Sequence, residues 1–282
     1  LVIVGRIFPK IRPTTLSRRI RANQKIAGKN HVLTSSTPMD NIYEDQKVLS
    51  EYLLFHYGSE QEILPSSAAW PSGMRAALDF AVRTTTHFSK PHAERALDLG
   101  CAVGRSSFEM SRTCEQVLGI DYSHSFIDAA NALRNRHSLR FSRHDEAHLA
   151  TDLIAKLPAG ILPECVRFQQ GDAMRLPANI GSFDRVHAAN LICRLSEPLL
   201  LLERFPELVN AGGELILATP CTWLEDFTAE ENWPSGGTLE WIKKILSPYF
   251  ELTLCIEEPF LIRETARKFQ WTSSMLTRWN RR

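Results

Sequence analysis

Apolar positions along this chain change their period once, from helical to mixed. From Asn41 onward, Val48, Tyr52 and Phe55 recur at helical spacing and Gly58 follows them, which predicts an amphipathic helix stopped by glycine. Asn41-Ile-Tyr-Glu44 reads as its start, a capping box in which Asn41 accepts from first-turn amides and Glu44 reaches back. Pro65 and Pro71 mark a loop, and a second helix is expected over 72–88. Short apolar runs then alternate with helical stretches. Strands are expected at 96–99, 117–121, 166–169, 183–188 and 214–218, with helices from about Gly104 and over 123–136, 199–209 and 238–246. Residues 250–256 and a segment ending near Trp271 read as a terminal antiparallel pair. Strand–helix alternation at this spacing predicts βαβ units and a parallel sheet covered on both faces. The longest aliphatic run, at 199–202, is far short of the about 20 apolar residues that span a bilayer, so no membrane partner is expected.

Residues 1–39 stand outside this pattern. They hold eight Lys/Arg and no Asp or Glu, which leaves −7 on residues 40–282 against +1 for the whole chain. Three readings of the extension stay open: an organellar transit peptide, translated upstream sequence, or a disordered basic arm. The chain thus divides into a basic extension, 1–39, and one domain, 40–282. An acidic body repels a phosphate backbone, so nucleic acid is not the expected substrate. Six cysteines are scattered without a C-x-x-C pair, as reduced thiols of an intracellular protein are. A cytoplasmic location is expected, or an organellar one if 1–39 is a transit peptide.

The informative motif is Ala96-Leu-Asp98-Leu-Gly100-Cys101-Ala-Val-Gly104-Arg105. Gly100 suits a tight turn close to a ligand, and Gly104 suits close helix–strand packing. A dinucleotide site would want G-x-G-x-x-G to seat a pyrophosphate. Here the middle glycine is replaced and the strand ends in Asp98, a carboxylate suited to an amino group. The exchange points to a cationic methionine moiety, hence S-adenosylmethionine. Asp121 closes the next strand, where a carboxylate accepts both ribose hydroxyls, and Tyr122 can pack on adenine. Asp172 and Ala173, after the third strand, fall where a carboxylate meets the adenine amino group. The cofactor set is therefore Asp98, Gly100, Cys101, Gly104, Arg105, Asp121, Tyr122, Asp172, Ala173 and Asn190.

This arrangement resembles the class I S-adenosylmethionine-dependent methyltransferases, which implies an α/β Rossmann-like fold. The implied sheet has seven strands, six parallel and one reversed, with helices on both faces. The segments 52–58, 96–108, 188–195, 222–227 and 262–271 are similar to one family, the 4-mercaptohistidine N1-methyltransferases, usually the C-terminal domain of the ovothiol-biosynthesis enzyme. That resemblance implies 5-thiohistidine as the small-molecule substrate and ovothiol A as the product. The iron-dependent sulfoxide synthase part of the fused enzymes has no counterpart here, so a separate sulfoxide synthase is the expected functional partner. On the substrate side, Arg194, Arg263 and Arg267 are candidates for a carboxylate clamp, with a structural ion pair to Glu264 the other reading of Arg263. Asn190 falls where substrate and cofactor meet. Tyr43, Tyr52, His56 and Tyr57 lie on a helix that can cover the site, His56 being a candidate base. Trp223 and Trp271 are read either as stacking on the acceptor ring or as core.

Residues 139–164 match that family loosely. His144 and His148 are spaced to share a helix face, but the zinc motif H-E-x-x-H is broken by Asp145, so a solvated polar helix is expected and no metal. Two other functions compete: methyl transfer to another small molecule, and a catalytically silent cofactor-binding partner of a sulfoxide synthase. The intact Asp98, Gly100, Gly104 and Asp121 argue against silence, and the missing middle glycine argues against a nicotinamide oxidoreductase. Residues 1–38 show no periodic apolar face. A chain beginning at Met39 should therefore melt at the same temperature as the full chain. A large fall on truncation would show that the extension is an integral element.

Overall fold

A computed structural model of the protein describes residues 41–282, and the extension 1–39 lies outside the described residues. The central strand is β1 (Ala93–Leu99), whose last four residues are all buried. It pairs in parallel with β2 (Cys114–Asp121) on one side and β6 (Phe183–Ala189) on the other. β5 (Val166–Gln170) extends the sheet beyond β2, and β7 (Val209–Thr219) extends it beyond β6. β9 (Phe269–Arg281) is antiparallel to β7, and β8 (Phe250–Arg263) closes the edge, giving the order β5-β2-β1-β6-β7-β9-β8. β9 alone is reversed in this seven-stranded sheet. Strand order reverses between β1 and β6, and ligands bind this architecture in the crevice at such a point.

Alternation along the strands feeds two cores. Ala96, Val117, Ile216 and Leu276 face one side. There they meet α1 (Gln46–Tyr57), α2 (Glu60–Ile63), α3 (Ser72–Ala76), α4 (Phe80–Thr85), α5 (Arg105–Met110) and α6 (His124–Arg136). Leu97, Leu99, Leu215, Leu217 and Trp279 face the other side. They pack on α7 (Pro198–Leu202), α8 (Phe205–Leu208) and α9 (Thr238–Leu246). No helix of the described residues is long and apolar enough to cross a membrane.

Several local expectations are corrected. The helix expected over 72–88 breaks at Asp79, which is left-handed at φ 57°; the one expected over 199–209 breaks ahead of Pro206. Asn41 does accept from Tyr43 N, but the helix proper is capped by Asp45, and Glu44 turns away to cap α6. Gly58 ends α1 with an ordinary φ of −68°; glycine is required because a Cβ would lie 2.5 Å from the Leu54 carbonyl. The terminal pair is longer than expected, and Trp271 falls early in its second strand, over Gly73.

The largest correction concerns residues 139–164. Instead of a polar helix they form a hairpin, β3 (Ser138–Glu146) and β4 (Leu149–Lys156). Phe141 and Ala155 are buried at alternating positions against the core, so period two outweighs the polar composition. His144 sits on β3 with its ring nitrogen on the Ala147 carbonyl, and His148 lies in the turn, so they share no helix face.

Arg263 is part of what holds this hairpin. Its guanidinium donates to the carbonyls of Glu62 (2.9 Å) and Ile63 (3.1 Å) and to Asp145 Oδ1 (3.2 Å). Arg143 donates to the same carboxylate at 2.8 Å. Arg263 is 4% exposed, so it is sealed from any substrate, and its partner is Asp145; Glu264 pairs with Lys268 instead. Arg263→Ala would leave a half-buried carboxylate with one donor fewer and two carbonyls short of a donor. It should destabilise by about 3 kcal/mol, a fall in Tm on the order of 10 °C, with cofactor affinity unchanged. An unchanged Tm together with lost acceptor turnover would restore the clamp reading.

Candidate active site

The turn after β1 sets the geometry. Gly100, Ala102 and Gly104 all have positive φ, at 69°, 48° and 85°. The amides of Gly100 and Cys101 both donate to the Ile120 carbonyl, at 2.8 and 3.1 Å, which folds the turn back over β2. Gly104 has no room for a side chain, since a Cβ would lie 2.5 Å from the Phe168 ring. Ala102 occupies the position of the missing middle glycine, at a strain of roughly 1–2 kcal/mol. Its amide is thereby aimed at Asp121 Oδ2, 2.8 Å away. Ala102 was not foreseen as a site residue, although the alternation Gly-x-Ala-x-Gly is a readable signal.

Asp121 accepts that amide and, at 2.9 Å, the Ser123 amide. Burial pushes its carboxyl up to about 6, while the two amides pull it down. Gly171 N donates to the Asp121 carbonyl at 2.9 Å, bringing the end of β5 alongside. Asp172 there caps the turn Ala173–Arg175 through Met174 N. Tyr122 is 60% exposed and free to pack on a ligand. Asn190 ends β6 in a left-handed conformation, φ 56°, with its side-chain carbonyl accepting from Ser274 Oγ at 2.7 Å. The glycine turn, Asp121, Asp172 and Asn190 thus line one edge, at the carboxyl ends of four adjacent strands.

Other expected residues are placed differently. Asp98 is 1% exposed and already filled: Ser106 and Ser107 hydroxyls lie at 2.6 Å from Oδ2, and His187 Nδ1 at 2.8 Å from Oδ1. It faces the interior and fixes α5 to β6; it is not open to an ammonium. His187 continues to Thr84 Oγ1 at 3.0 Å. Nothing in the sequence marks His187, because its meeting with Asp98 depends on the β1–β6 register. Cys101 is buried and its thiol is pushed well up by burial, so it stays neutral. Tyr57 donates to the Val103 carbonyl at 2.8 Å and anchors α1 to the glycine turn, away from an acceptor. Burial and the Arg105 guanidinium push His56 down to about 3, so it is too weak a base to hold a proton at neutral pH. Trp223 is core: it packs edge-on against Trp241 and donates to Thr238 Oγ1. Arg267 is exposed on the β8–β9 turn.

Arg194, the remaining clamp candidate, is half-buried. It donates to Thr222 O at 2.9 Å and lies 4.8 Å over the Phe227 ring. Tyr43 completes this corner, its ring 6.1 Å from Tyr52, 5.8 Å from Phe126 and 6.5 Å from Phe227. Its carbonyl accepts from Ser123 Oγ, so the N-terminal turn is fixed across the end of β2. Burial raises the Tyr43 phenol, with Arg194 opposing and Asp121 adding to the rise.

Residues 97–217 match the methyltransferase domain family. Over those residues the chain has a methyltransferase domain. No curated protein matches it. Among solved structures it is similar to YcgJ of Bacillus subtilis, at 13% identity over 72% of this chain and 97% of that one, TM-score 0.47. It is also similar to the N-methyltransferase NodS of Bradyrhizobium japonicum in complex with S-adenosyl-L-homocysteine (13%, 84% and 99%, TM-score 0.48). A third is the magnesium protoporphyrin IX methyltransferase of Synechocystis with bound S-adenosylmethionine (14%, 84% and 98%, TM-score 0.47).

The residues present fit the cofactor at Asp121, whose two oxygens each hold one amide and keep lone pairs for two ribose hydroxyls. When bound, the cofactor supplies an electrophilic methyl group on a sulfonium. Hydroxyl donors favour the ionised carboxylate, so binding releases the proton that Asp121 holds below about pH 6. Affinity should be flat above pH 7 and fall by up to roughly tenfold per unit below pH 6. Asp121→Asn should flatten that profile and weaken binding at pH 7.5 by about ten- to a hundredfold. Calorimetric titration between pH 5 and 8 measures both, and an unchanged affinity in the variant would remove Asp121 from the site.

Proposed function

We propose that the acceptor is 5-thiohistidine, methylated on a ring nitrogen to ovothiol A. The observation that carries this reading is where the family-like segments meet. Tyr52, from 52–58, Arg194, from 188–195, and Thr222 and Phe227, from 222–227, come together beside Asp121 through Tyr43 and the Arg194 contacts. Segments far apart in sequence share one corner at the mouth of the cofactor crevice, which is where an acceptor has to bind. With Arg263 sealed, Arg194 takes the clamp role: a planar fork held from behind by Thr222 and Phe227, facing an amino-acid carboxylate. Tyr43, Tyr52 and Phe227 supply faces and edges for an imidazole.

The chemistry is an in-line displacement, for which alignment and exclusion of water supply most of the rate. No strong base is needed if the attacking nitrogen arrives without its proton. The thiol precursor would come from a sulfoxide synthase acting beside this protein. A pocket built around the sulfur leaves its own groups unpaired when histidine binds. Purified protein with S-adenosylmethionine should therefore methylate 5-thiohistidine at least about a hundredfold faster than histidine, read by mass detection with ring-position assignment. Equal rates on both, or product from neither, would discard this acceptor and leave methyl transfer to another small molecule.

A further inference from the structure

Asn190 stands on the crevice edge, but the direction of its amide is set from two strands away. Ser274, on β9, lies one residue past the Thr219–Met275 pair, so β9 reaches across the end of β7 to the end of β6. Ser274 is fully buried, and among the described residues its hydroxyl meets one side chain, Asn190 Oδ1 at 2.7 Å. A buried hydroxyl has to place its proton on an acceptor. With this one acceptor, the amide oxygen faces Ser274 and Nδ2 faces away. The backbone is fixed as well: Asn190 is left-handed at φ 56°, and its own N–H donates to the Ala218 carbonyl at 2.7 Å. Asn190 is half-buried, and its Nδ2 meets no acceptor among the described residues and is not sealed from solvent. The end of β6 thus presents two N–H donors.

Donors at this point select the charge of what binds. They hold a lone pair or an anion and give a protonated amine nothing to donate to. Arg194, four residues on, adds a cation to the same turn. Glu258, the β8 partner of Ser274, is held by Arg83 and His87, and Asp98 on β1 is filled by its own donors. We propose that Ser274 is a positioning residue that fixes Asn190 as a donor, and that Asn190 binds the acceptor's sulfur as the thiolate. The inference rests on the 5-thiohistidine reading and names the group that reads the sulfur. In the transfer, a ring-nitrogen lone pair forms the new N–C bond while the sulfonium S–C bond breaks, its electron pair staying on the departing sulfide. The thiolate keeps its charge throughout and offsets the positive charge that develops on the ring, so Asn190 moves no proton.

The pH profile of turnover tests this. The full chain and its Asn190→Asp, Ser274→Ala and Ser274→Thr variants are assayed with 5-thiohistidine at saturating S-adenosylmethionine between pH 5.5 and 9, and folding is checked by Tm. In the wild type the acid limb of kcat should lie below that of kcat/KM, because the donor favours the ionised sulfur once it is bound. Asn190→Asp, a residue that also tolerates the left-handed backbone, sets a carboxylate against the thiolate. It should move the kcat limb up by about one pH unit or more and raise KM at pH 7.5 roughly tenfold or more. Ser274→Ala frees the amide to turn and should move the limb the same way by less, while Ser274→Thr, which keeps the hydroxyl, should restore it. Limbs that stay in place in both Asn190→Asp and Ser274→Ala, whether or not the plateau falls, would show a merely structural pair and overturn the proposal. A folded wild-type chain that does not turn over 5-thiohistidine would overturn the acceptor reading and this inference with it.

Discussion

The hydrogen bond from the Ala102 amide to Asp121 is the contact on which the site depends. It forms only because three alternate residues of one short turn are left-handed, two of them glycines and one an alanine that carries strain. The same turn is tied to β2 through the Ile120 carbonyl and to α1 through Tyr57. Fixing it therefore fixes the spacing between the first two strand ends, where the cofactor crevice begins.

A second constraint lies beneath it. Asp98 is a charge in the middle of the sheet, and burying it is tolerable only because Ser106, Ser107 and His187 surround it with donors. Those donors come from α5 and β6, so satisfying one carboxylate aligns the helix after the glycine turn with the strand that ends in Asn190. Charge burial here works as a positioning device. Arg263 does the same at the opposite margin, joining α2, the β3–β4 hairpin and the β8–β9 turn through carbonyls and Asp145. Both residues look like ligand-binding groups in a one-dimensional reading, because polar residues in apolar surroundings suggest function. Burial with complete internal hydrogen bonding is the other solution.

This explains what was legible in the sequence and what was not. The central strands and the glycine turn were legible, since apolar runs ending in glycine or aspartate depend on local chemistry. Asp121 was legible as the acidic end of the second strand, and Gly104 by its need for close packing. The fates of Asp98 and Arg263 were not legible, because each depends on partners 80 or more residues away; that of Trp223 depends on α9 folding back over it. The hairpin at residues 138–156 was missed for a different reason. Its outward positions are so polar that the buried alternation of Phe141 and Ala155 is hidden under a charged composition. His187 had no signal at all, since a histidine in an apolar strand looks the same whether it meets a carboxylate or not.

The electrostatics of the corner around Asp121 restrict what chemistry it can run. His56 is held neutral, Tyr43, Tyr52 and Tyr57 are pushed up by burial, and Cys101 is neutral for the same reason. None of these groups can both take a proton from a substrate and hold it at neutral pH. Asp121 comes nearest, but a carboxylate that took ribose hydroxyls as proposed would no longer be free to act as a base. A nucleophile used here must therefore bring an available lone pair of its own. A neutral imidazole nitrogen meets that requirement, whereas a protonated amine does not, so the environment disfavours ordinary ammonium acceptors before any contact with the acceptor is considered. What the protein contributes is then alignment: Arg194 with Thr222 and Phe227 behind it, and the N-terminal turn fixed across β2 by Ser123. In the proposed reading both would hold an acceptor at a fixed angle to the strand ends, which is the main demand of an in-line displacement.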